Sequence, residues 1–576
     1  MKSYFSPFIL ALVLGTLNVP ADVKLPALFG DHMVLQQGTA IPVWGWADAG
    51  EKVTVTLGAH HASATAGADG KWLVKLAPMK VHDKPITLTV AGKNTITIQD
   101  VLVGEVWLAS GQSNMELKLN PGLVQGPETI AASANPQFRF FVVAKNPDLT
   151  PQTDVKGTWM VAGPDTITQL TAVGYFMGRE LQKKLNRPFG LIESDWGGTA
   201  IESWTSLDAL KKFPWTAGGV DNTQKRKDAE PQDAAGRAKT LADFQAALKD
   251  WQTNVDIPYQ AVIHQWQVAD DAAKAAHQPE PPRPNESSNH PNSPLGECFE
   301  YSTLFNGMIA PLMPYAIKGA IWYQGESNAG GDGAQYGDLL KNMITDWRAR
   351  WGENFTFLVV GLANMDARYP FPVDSGWAGV RWGQAQVTDV DPKDKLATPN
   401  TGLAEAIDIG EAGNIHPLDK LDVGKRLAAD ALAITYGEKV PHQGPRFAGV
   451  KVEGGRLRIA YKHTGGGLTI GQPPADYVTA LTNHKLATSD PLVPTDKLVG
   501  FQIAGADKKW VFADATIKGD SVILSSPDVA APVAARYGWQ NNPQVNLYNK
   551  EGLPAVPFRT DDWSFVSPPP NPNAPH

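Results

Sequence analysis

The sequence predicts an α/β protein in which a mostly parallel sheet, covered by helices on both faces, is flanked by β-rich domains on its N- and C-terminal sides. Between residues 101 and 437, apolar runs alternate with amphipathic helical stretches, which is the pattern of parallel strands joined by helices. Short segments that alternate apolar and polar residues, separated by Gly, Asp and Pro, fill residues 22–100 and recur in residues 438–576. A period of two is typical of half-buried strands.

In the N-terminal part, the segments "IPVWGWA", "KVTVTLG", "KWLVKLA" and "ITLTVAG" predict a small β-sandwich over residues 22–100. In residues 101–437, the runs "VWLAS", "FGLIESD", "GAIWYQG" and "FTFLVVGLA" read as buried parallel strands. A polar, Ala-rich stretch followed by a Pro-, Asn- and Ser-rich stretch, at about residues 211–294, predicts a helical insertion and a loop. A helix at Asp422–Gly437 is expected to close this domain.

Length and composition restrict the class of protein. A chain of 576 residues with 43% hydrophobic and 19% charged residues is expected to fold into several domains. The net charge of −8 gives no basic surface, so no nucleic-acid partner is expected. Cys298 is the only cysteine, which excludes an intrachain disulfide. Neither an HExxH motif nor a spaced His/Asp cluster is present, so no metal or other cofactor is predicted.

The first residues, "MKSYFSPFILALVLGTLNVPA", combine a lysine, a short apolar run and a final small residue. This pattern predicts a secretory signal peptide over residues 1–21, cut after Ala21. No later segment approaches the ~20 apolar residues that a membrane-spanning helix needs. An exported protein, periplasmic or extracellular and without a membrane span, is therefore expected.

Polar turns follow apolar runs at "SGQSNM", "SDWGGT" and "WYQGESN". Ligands of open α/β sheets bind beyond the carboxyl ends of the strands, so these turns are expected to meet at one rim. A lone serine such as Ser113 more often ends a strand or caps a helix than it attacks a substrate. Together with a histidine base and N–H donors, however, it offers the parts of ester hydrolysis. Gly197, Gly198 and Gln324 supply candidate donors, and His416 lies in "GNIHPLDK".

The motifs "GQSNM", "WGGTAIESW", "GAIWYQGESNA" and "NIHPLDK" together resemble the sialate O-acetylesterase family, within the SGNH hydrolase superfamily. The flanking segments "LFGDHMVLQQ" and "RYGWQNNPQVNLYNKEGLPAVPFRT" are similar to that family as well. The resemblance implies an SGNH-type sheet and a serine esterase that removes acetyl groups from carbohydrates. It also implies that Ser113 is the nucleophile, that His416 is the base, and that the Ser113 N–H, Gly197 or Gly198, and Gln324 form the oxyanion hole.

The acid of the triad departs from the superfamily pattern. Many SGNH enzymes have an aspartate three residues before the histidine, where this chain has Gly413. Any carboxylate that reaches the imidazole would serve. Asp408 is the first candidate, Glu411 and Glu326 are alternatives, and a Ser–His dyad without an acid is the remaining one.

The substrate is narrowed only to a class. An O-acetylated carbohydrate is expected, either a sialic acid or a plant polysaccharide such as xylan or xyloglucan. Trp196, Trp204 and Tyr323 are candidates for lining a sugar pocket, although large aromatic residues also fill cores. Two other readings stay open: an SGNH lipase or thioesterase, and a catalytically inactive secreted carbohydrate-binding protein.

Overall fold

A computed structural model describes residues 22–231, 233–276, 278–279, 281–285, 290–331, 333–388, 395–483 and 495–572. The predicted signal peptide, residues 1–21, lies outside the described residues. The first strands along the chain are β1 (Val34–Gln36), β2 (Ile41–Trp46), β3 (Lys52–Leu57), β4 (His60–Thr65), β5 (Lys71–Leu76), β6 (His82–Ala91) and β7 (Thr95–Gly111).

Strand β7 connects the N-terminal β-region with the central sheet. Its first half pairs with β6, its middle pairs with β1, and its second half pairs with strands that come later in the chain. The predicted domain boundary at residue 100 thus falls inside one continuous strand of 17 residues. The two regions share a strand, so no flexible linker separates them.

The central sheet has the strand order β13-β12-β11-β7-β10-β8-β9. All neighbours in this order are parallel except β8 and β9, which pair antiparallel at the edge. The strands that follow β7 are β8 (Asn135–Val142), β9 (Trp159–Ala162), β10 (Phe189–Asp195), β11 (Gly319–Tyr323), β12 (Thr356–Val360) and β13 (Thr401–Ala404). The predicted α/β class is confirmed.

Helices connect these strands. Their bounds are α1 (Ser113–Glu116), α2 (Gly126–Ala131), α3 (Ala172–Leu185), α4 (Leu207–Leu210), α5 (Ala217–Ala229), α6 (Ala234–Trp251), α7 (Ile257–Ala275), α8 (Tyr336–Trp351), α9 (Gly376–Thr388) and α10 (Lys420–Ile434). Alternate residues of β7 enter different apolar clusters: Val106 and Leu108 pack in the cluster that contains α8 and α9, and Trp107 and Ala109 in the cluster that contains α3 and α10.

The stretch at about residues 211–294 contains α5, α6 and α7, with a π-helical segment, Gln252–Asp256, between the last two. Few of its described side chains are buried. The Pro-rich segment that follows contacts α7, because Trp266 Nε1 donates to the Pro281 carbonyl at 2.9 Å. The insertion therefore extends from the central domain rather than filling its core.

After α10 the chain forms further β-sheets. Their elements are β14 (Arg446–Val452), β15 (Leu457–Lys462), β16 (Leu468–Ile470), helix α11 (Ala475–Asn483), β17 (Phe501–Ala504), β18 (Trp510–Phe512), β19 (Asp514–Lys518), β20 (Ser521–Ser525), β21 (Ala534–Tyr537), β22 (Leu547–Asn549) and β23 (Phe558–Arg559). Ion pairs tie this region to the central domain, as between Arg536 and Asp374 at 2.7 Å. Among the helices described, none is long and apolar enough to cross a bilayer.

Candidate active site

The polar turns meet at the carboxyl edge of the central sheet. In the strand register, Gly111 at the end of β7 faces Asp195 at the end of β10 on one side and Tyr323 at the end of β11 on the other. The turns "SGQSNM", "SDWGGT" and "WYQGESN" therefore leave adjacent parallel strands at the same level.

Ser113 is the first residue of α1, and only Gln112 separates it from the end of β7. Gly111 adopts a φ of 143°, and a Cβ there would lie 2.2 Å from the Tyr323 carbonyl oxygen. Only glycine fits this close approach. Gln112 then donates its N–H to the same carbonyl at 3.0 Å, which fixes the turn. Ser113 is partly exposed, and the first N–H groups of a helix have no acceptor within the helix.

His416 lies in the loop between β13 and α10, and Glu411 shapes that loop. The buried Glu411 carboxylate accepts from the Leu418 N–H at 2.7 Å and from Asn414 Nδ2 at 3.1 Å. Asn414 Oδ1 in turn accepts the His416 N–H at 3.0 Å. The imidazole is half-buried and hydrogen-bonds no residue that the structure describes. Burial, and then the Lys420 charge, lower the pKa of His416, which favours the neutral ring that a general base requires.

Asn114 joins the two candidate catalytic segments. Its Nδ2 donates to the Ile415 carbonyl at 2.9 Å and to Glu326 Oε1 at 2.6 Å, and its Oδ1 accepts from Lys420 Nζ at 2.6 Å. Asn114 follows Ser113, and Ile415 precedes His416. One side chain that is 1% exposed therefore holds the serine turn against the histidine loop. The sequence gives no sign of this role for Asn114, because its partners lie 212, 301 and 306 residues away along the chain.

Lys420 and Glu326 place opposite charges beneath these segments. Burial lowers the pKa of Lys420 to about 8, and the Glu326 charge opposes that change. Burial raises the pKa of Glu326, and the hydrogen bond from Asn114 opposes it. Glu326 Oε2 is buried without a hydrogen-bond partner, which is costly unless another group uses that oxygen.

Asp408, the first candidate for the acid of the triad, does not have that role in the structure. Its side chain is 0% exposed. Its oxygens accept from Arg426 Nη1 and Nη2 at 2.6 and 2.8 Å, and Tyr548 Oη also donates, at 2.9 Å. The carboxylate is thus fully engaged in a buried ion pair with Arg426 and a hydrogen bond from Tyr548 of the C-terminal region, and does not bind His416.

Two of the candidate oxyanion donors, Gln324 and Gly197, already donate to other groups of the protein. Gln324 is 0% exposed, and its Nε2 already donates to the Thr199 carbonyl at 3.1 Å and to Asn328 Oδ1 at 2.7 Å. Its expected role as a free donor is therefore corrected to an internal brace. The Gly197 N–H likewise donates to Glu116 Oε2 at 2.6 Å.

Gly198 is the remaining glycine of that turn. It has a φ of 76° and is exposed, and its N–H donates to no described residue. The turn lies next to the serine, since a Cβ placed on Gly197 would be 3.2 Å from Ser113 Cβ.

Two of the predicted sugar-lining aromatic residues are core residues instead. Trp204 and Tyr323 are 0% and 1% exposed. The Trp204 indole donates to Thr199 Oγ1 at 2.9 Å, and the Tyr323 ring packs in the cluster of α3 and α10. Trp196 is partly exposed, with Lys145 Nζ 5.1 Å from its ring centroid.

Phe299 is an aromatic residue beside the Gly198 turn that the sequence motifs did not indicate. It is 66% exposed, and its Cε1 lies 3.6 Å from where a Cβ on Gly198 would be. Its position beside the predicted insertion gave no sequence signal, because only the fold brings that segment to the glycine turn.

No cluster of three or more His, Cys, Asp or Glu side chains suited to a metal occurs within the described part of the chain. The groups on these adjoining segments are a serine, a half-buried histidine, a carboxylate with a buried oxygen and the exposed backbone of Gly198. This set can support attack of a hydroxyl on a carbonyl carbon.

Comparison with known proteins supports this chemistry. No family model matches the chain. The sialate O-acetylesterase of Mus musculus is 29% identical over 469 residues, which cover 76% of this chain and 78% of the relative. That of Pongo abelii is 28% identical over 93% of this chain and 92% of its own.

A solved structure extends the match to the fold. The crystal structure of a carbohydrate acetylesterase from Xanthomonas citri has a TM-score of 0.71 and 32% identity, over 94% of this chain and all (100%) of that one. The chain therefore belongs to the carbohydrate acetylesterase family that includes the sialate O-acetylesterases.

Proposed function

We propose that this protein is a serine esterase that hydrolyses O-acetyl esters on carbohydrates. The observation that carries the proposal is the Asn114 bridge, which holds Ser113 and the His416 loop together at the carboxyl edge of the sheet. The names of its relatives, sialate O-acetylesterase and carbohydrate acetylesterase, indicate the ester and the substrate class. The parallel sheet, with different helices packed on alternate strand residues, supports an SGNH-type domain.

In the proposed mechanism, the Ser113 hydroxyl attacks the acetyl carbonyl carbon and His416 accepts its proton. The N–H groups of Ser113 and Gly198 stabilise the oxyanion. His416 then protonates the sugar oxygen that leaves. Water, deprotonated by His416, attacks the acetyl-serine and releases acetate, which restores the serine.

Glu326 is the proposed acid partner of His416. Of the three candidate carboxylates, Asp408 is held by Arg426, and both oxygens of Glu411 bind its own loop. Glu326 alone keeps a buried oxygen without a partner, and Asn114 ties its other oxygen to the histidine loop. A carboxylate there would orient the imidazole and stabilise its protonated form.

We propose export as well, because residues 1–21 have the pattern of a secretory signal peptide. N-terminal sequencing of protein recovered from the periplasm or the medium should begin at Asp22. Protein that retains the leader and stays in the cytoplasm would contradict export without affecting the chemistry.

The central test is Ser113→Ala. Loss of the nucleophile is expected to slow acetate release by ~10⁴–10⁶ with the fold intact. Acetate release from acetylated xylan, acetylated sialic acids and simple acetate esters is measured with the wild type, the variant and a Ser327→Ala control, an exposed serine of a neighbouring turn. A folded Ser113→Ala protein with substantial activity would refute the nucleophile. Preference for long acyl chains would favour a lipase.

A further inference from the structure

A second cleft lies where the loop after β12 meets β18 and the C-terminal tail. Its volume is about 260 Å³. The residues that define it are Phe371, Lys508, Trp510, Trp563, Ser564 and Ser567. None of them is part of the active site described above.

Aromatic rings form the walls of this cleft. The ring centroids of Trp510 and Trp563 are 5.3 Å apart and the planes are inclined by 51°, so the rings form a V rather than a closed stack. Both residues are partly exposed, and Phe371 is 40% exposed. Several buried indoles of this protein donate their N–H, as Trp347 does to the Trp204 carbonyl. The indole N–H groups of Trp510 and Trp563 donate to no residue in the described ranges.

A buried arginine, Arg536, packs against the Trp510 ring and fixes its position. The Arg536 guanidinium lies 4.0 Å from the Trp510 ring centroid. It is 1% exposed and is fixed by Asp374 at 2.7 Å and by both oxygens of Asp561 at 2.9 Å. The ring position is thus set before any ligand arrives, which lowers the ordering cost of binding.

Polar groups complete the rim. Lys508 Nζ lies 5.3 Å from the Trp563 ring centroid, on an exposed side chain for which the described residues provide no acidic partner. Ser564 and Ser567 are exposed hydroxyl residues that also have no partner among the described residues. An apolar aromatic surface with a few hydroxyl and ammonium donors matches a sugar ring, whose C–H face is apolar and whose edge carries hydroxyl groups.

The cleft is connected to the active site through one loop. Asp366, five residues before Phe371, donates its N–H to the Ala412 carbonyl at 2.9 Å, and Ala412 belongs to the loop of His416. Asp366 Oδ2 also accepts from Asn541 of the C-terminal region at 2.7 Å. The segment from Asp366 to Phe371 therefore runs from the histidine loop to the aromatic cleft.

We propose that this cleft binds a neutral pyranose residue of a glycan, as an accessory subsite outside the catalytic centre. The cleft is smaller than the ~300–1,000 Å³ of pockets for drug-sized ligands, which suits one or two sugar rings. The role as a substrate subsite rests on the proposed function, whereas binding itself does not require catalysis.

Calorimetric titration of the full-length protein with unacetylated cellohexaose and xylohexaose tests the proposal. Binding of at least one of them is expected, weakened about tenfold or more by Trp563→Ala and by Phe371→Ala, since each removes one wall. Phe512→Ala is the control, because Phe512 is 46% exposed on the same strand as Trp510 but does not line the cleft. Melting curves establish whether each variant is folded. If Trp563→Ala does not fold, Phe371→Ala still tests the proposal, because Phe371 lies on a loop.

The proposal is overturned if neither oligosaccharide binds, if the cleft variants bind as well as the wild type, or if Phe512→Ala weakens binding equally. The anionic 3′-sialyllactose is titrated in parallel. If it is the only one of the three sugars that binds, the proposal of a neutral ligand is also overturned. Acetate release from a simple acetate ester, measured on the same wild-type protein, separates the two claims. If the protein does not hydrolyse the ester but still binds an oligosaccharide in a way that depends on Trp563, the esterase proposal is refuted and the sugar-binding proposal stands.

Discussion

Replacing Glu326 with glutamine tests the acid of the proposed triad. The amide has the same shape as the carboxylate, and its oxygen can still accept the 2.6 Å hydrogen bond from Asn114. Asn114 also keeps its bonds to the Ile415 carbonyl and to Lys420. The main change is therefore the loss of a negative charge, and kcat/KM is expected to fall while the fold remains.

The size of the loss follows from the position of the charge. Glu326 Oε2 is buried, so solvent screens it little. Two opposite unit charges ~4 Å apart at an effective dielectric constant of ~20 interact by about 4 kcal/mol. Because each ~1.4 kcal/mol corresponds to a tenfold change in rate, the protonated His416 of the transition state should lose a factor of ~10³.

The assay is the initial rate of acetate release across the neutral pH range for the wild type, Glu326→Gln and Glu411→Gln. Glu411 is the matched control, since it is a buried carboxylate near His416 whose oxygens bind loop groups. The reasoning is refuted if folded Glu326→Gln stays within about tenfold of the wild type. If Glu411→Gln instead shows the ~10³-fold loss, Glu411 is the acid; if neither variant shows it, the enzyme works as a dyad.

Three further predictions concern neighbouring groups. The Lys420 charge lowers the pKa of His416, so Lys420→Met should move the acidic limb of the kcat/KM profile to higher pH; an unmoved limb would exclude that coupling. Asp408→Asn leaves Arg426 buried without its carboxylate and should lower the free energy of unfolding by ~3–5 kcal/mol in urea titrations; full stability with lost activity would return Asp408 to the catalytic site. Phe299→Ala should raise KM for an acetylated glycan severalfold but not for a small acetate ester, and an equal effect on both would deny it a sugar contact.

The sequence alone was enough to propose the candidate site because strand ends leave a local signal. Three apolar runs in the central region stop at Gly-containing polar turns, and parallel strands place such turns on one edge. Ser113, the Gly197–Gly198 turn and His416 could therefore be selected from their motifs. The α/β class followed from the same alternation of runs and helical stretches, and the relatives of the chain bear out the resemblance that these motifs carried.

The partners of the buried polar groups could not be selected in this way. Asp408 was the first candidate because it follows an apolar stretch shortly before His416 in the sequence. In the fold, however, it pairs with Arg426 of α10 and with Tyr548, the latter 140 residues away. The fold also turns Gln324 inward, although its motif lies at the rim.

What the sequence by itself determined is which residues stand at the ends of the strands, because the apolar pattern and the glycines are local properties of the chain. What only the tertiary structure decided is which polar groups face one another there. Asn114 and Lys420 are 306 residues apart, and Asn114 and Glu326 are 212 residues apart. Their hydrogen bonds exist because the packed sheet leaves these groups no water to bind, so each must find its partner within the interior.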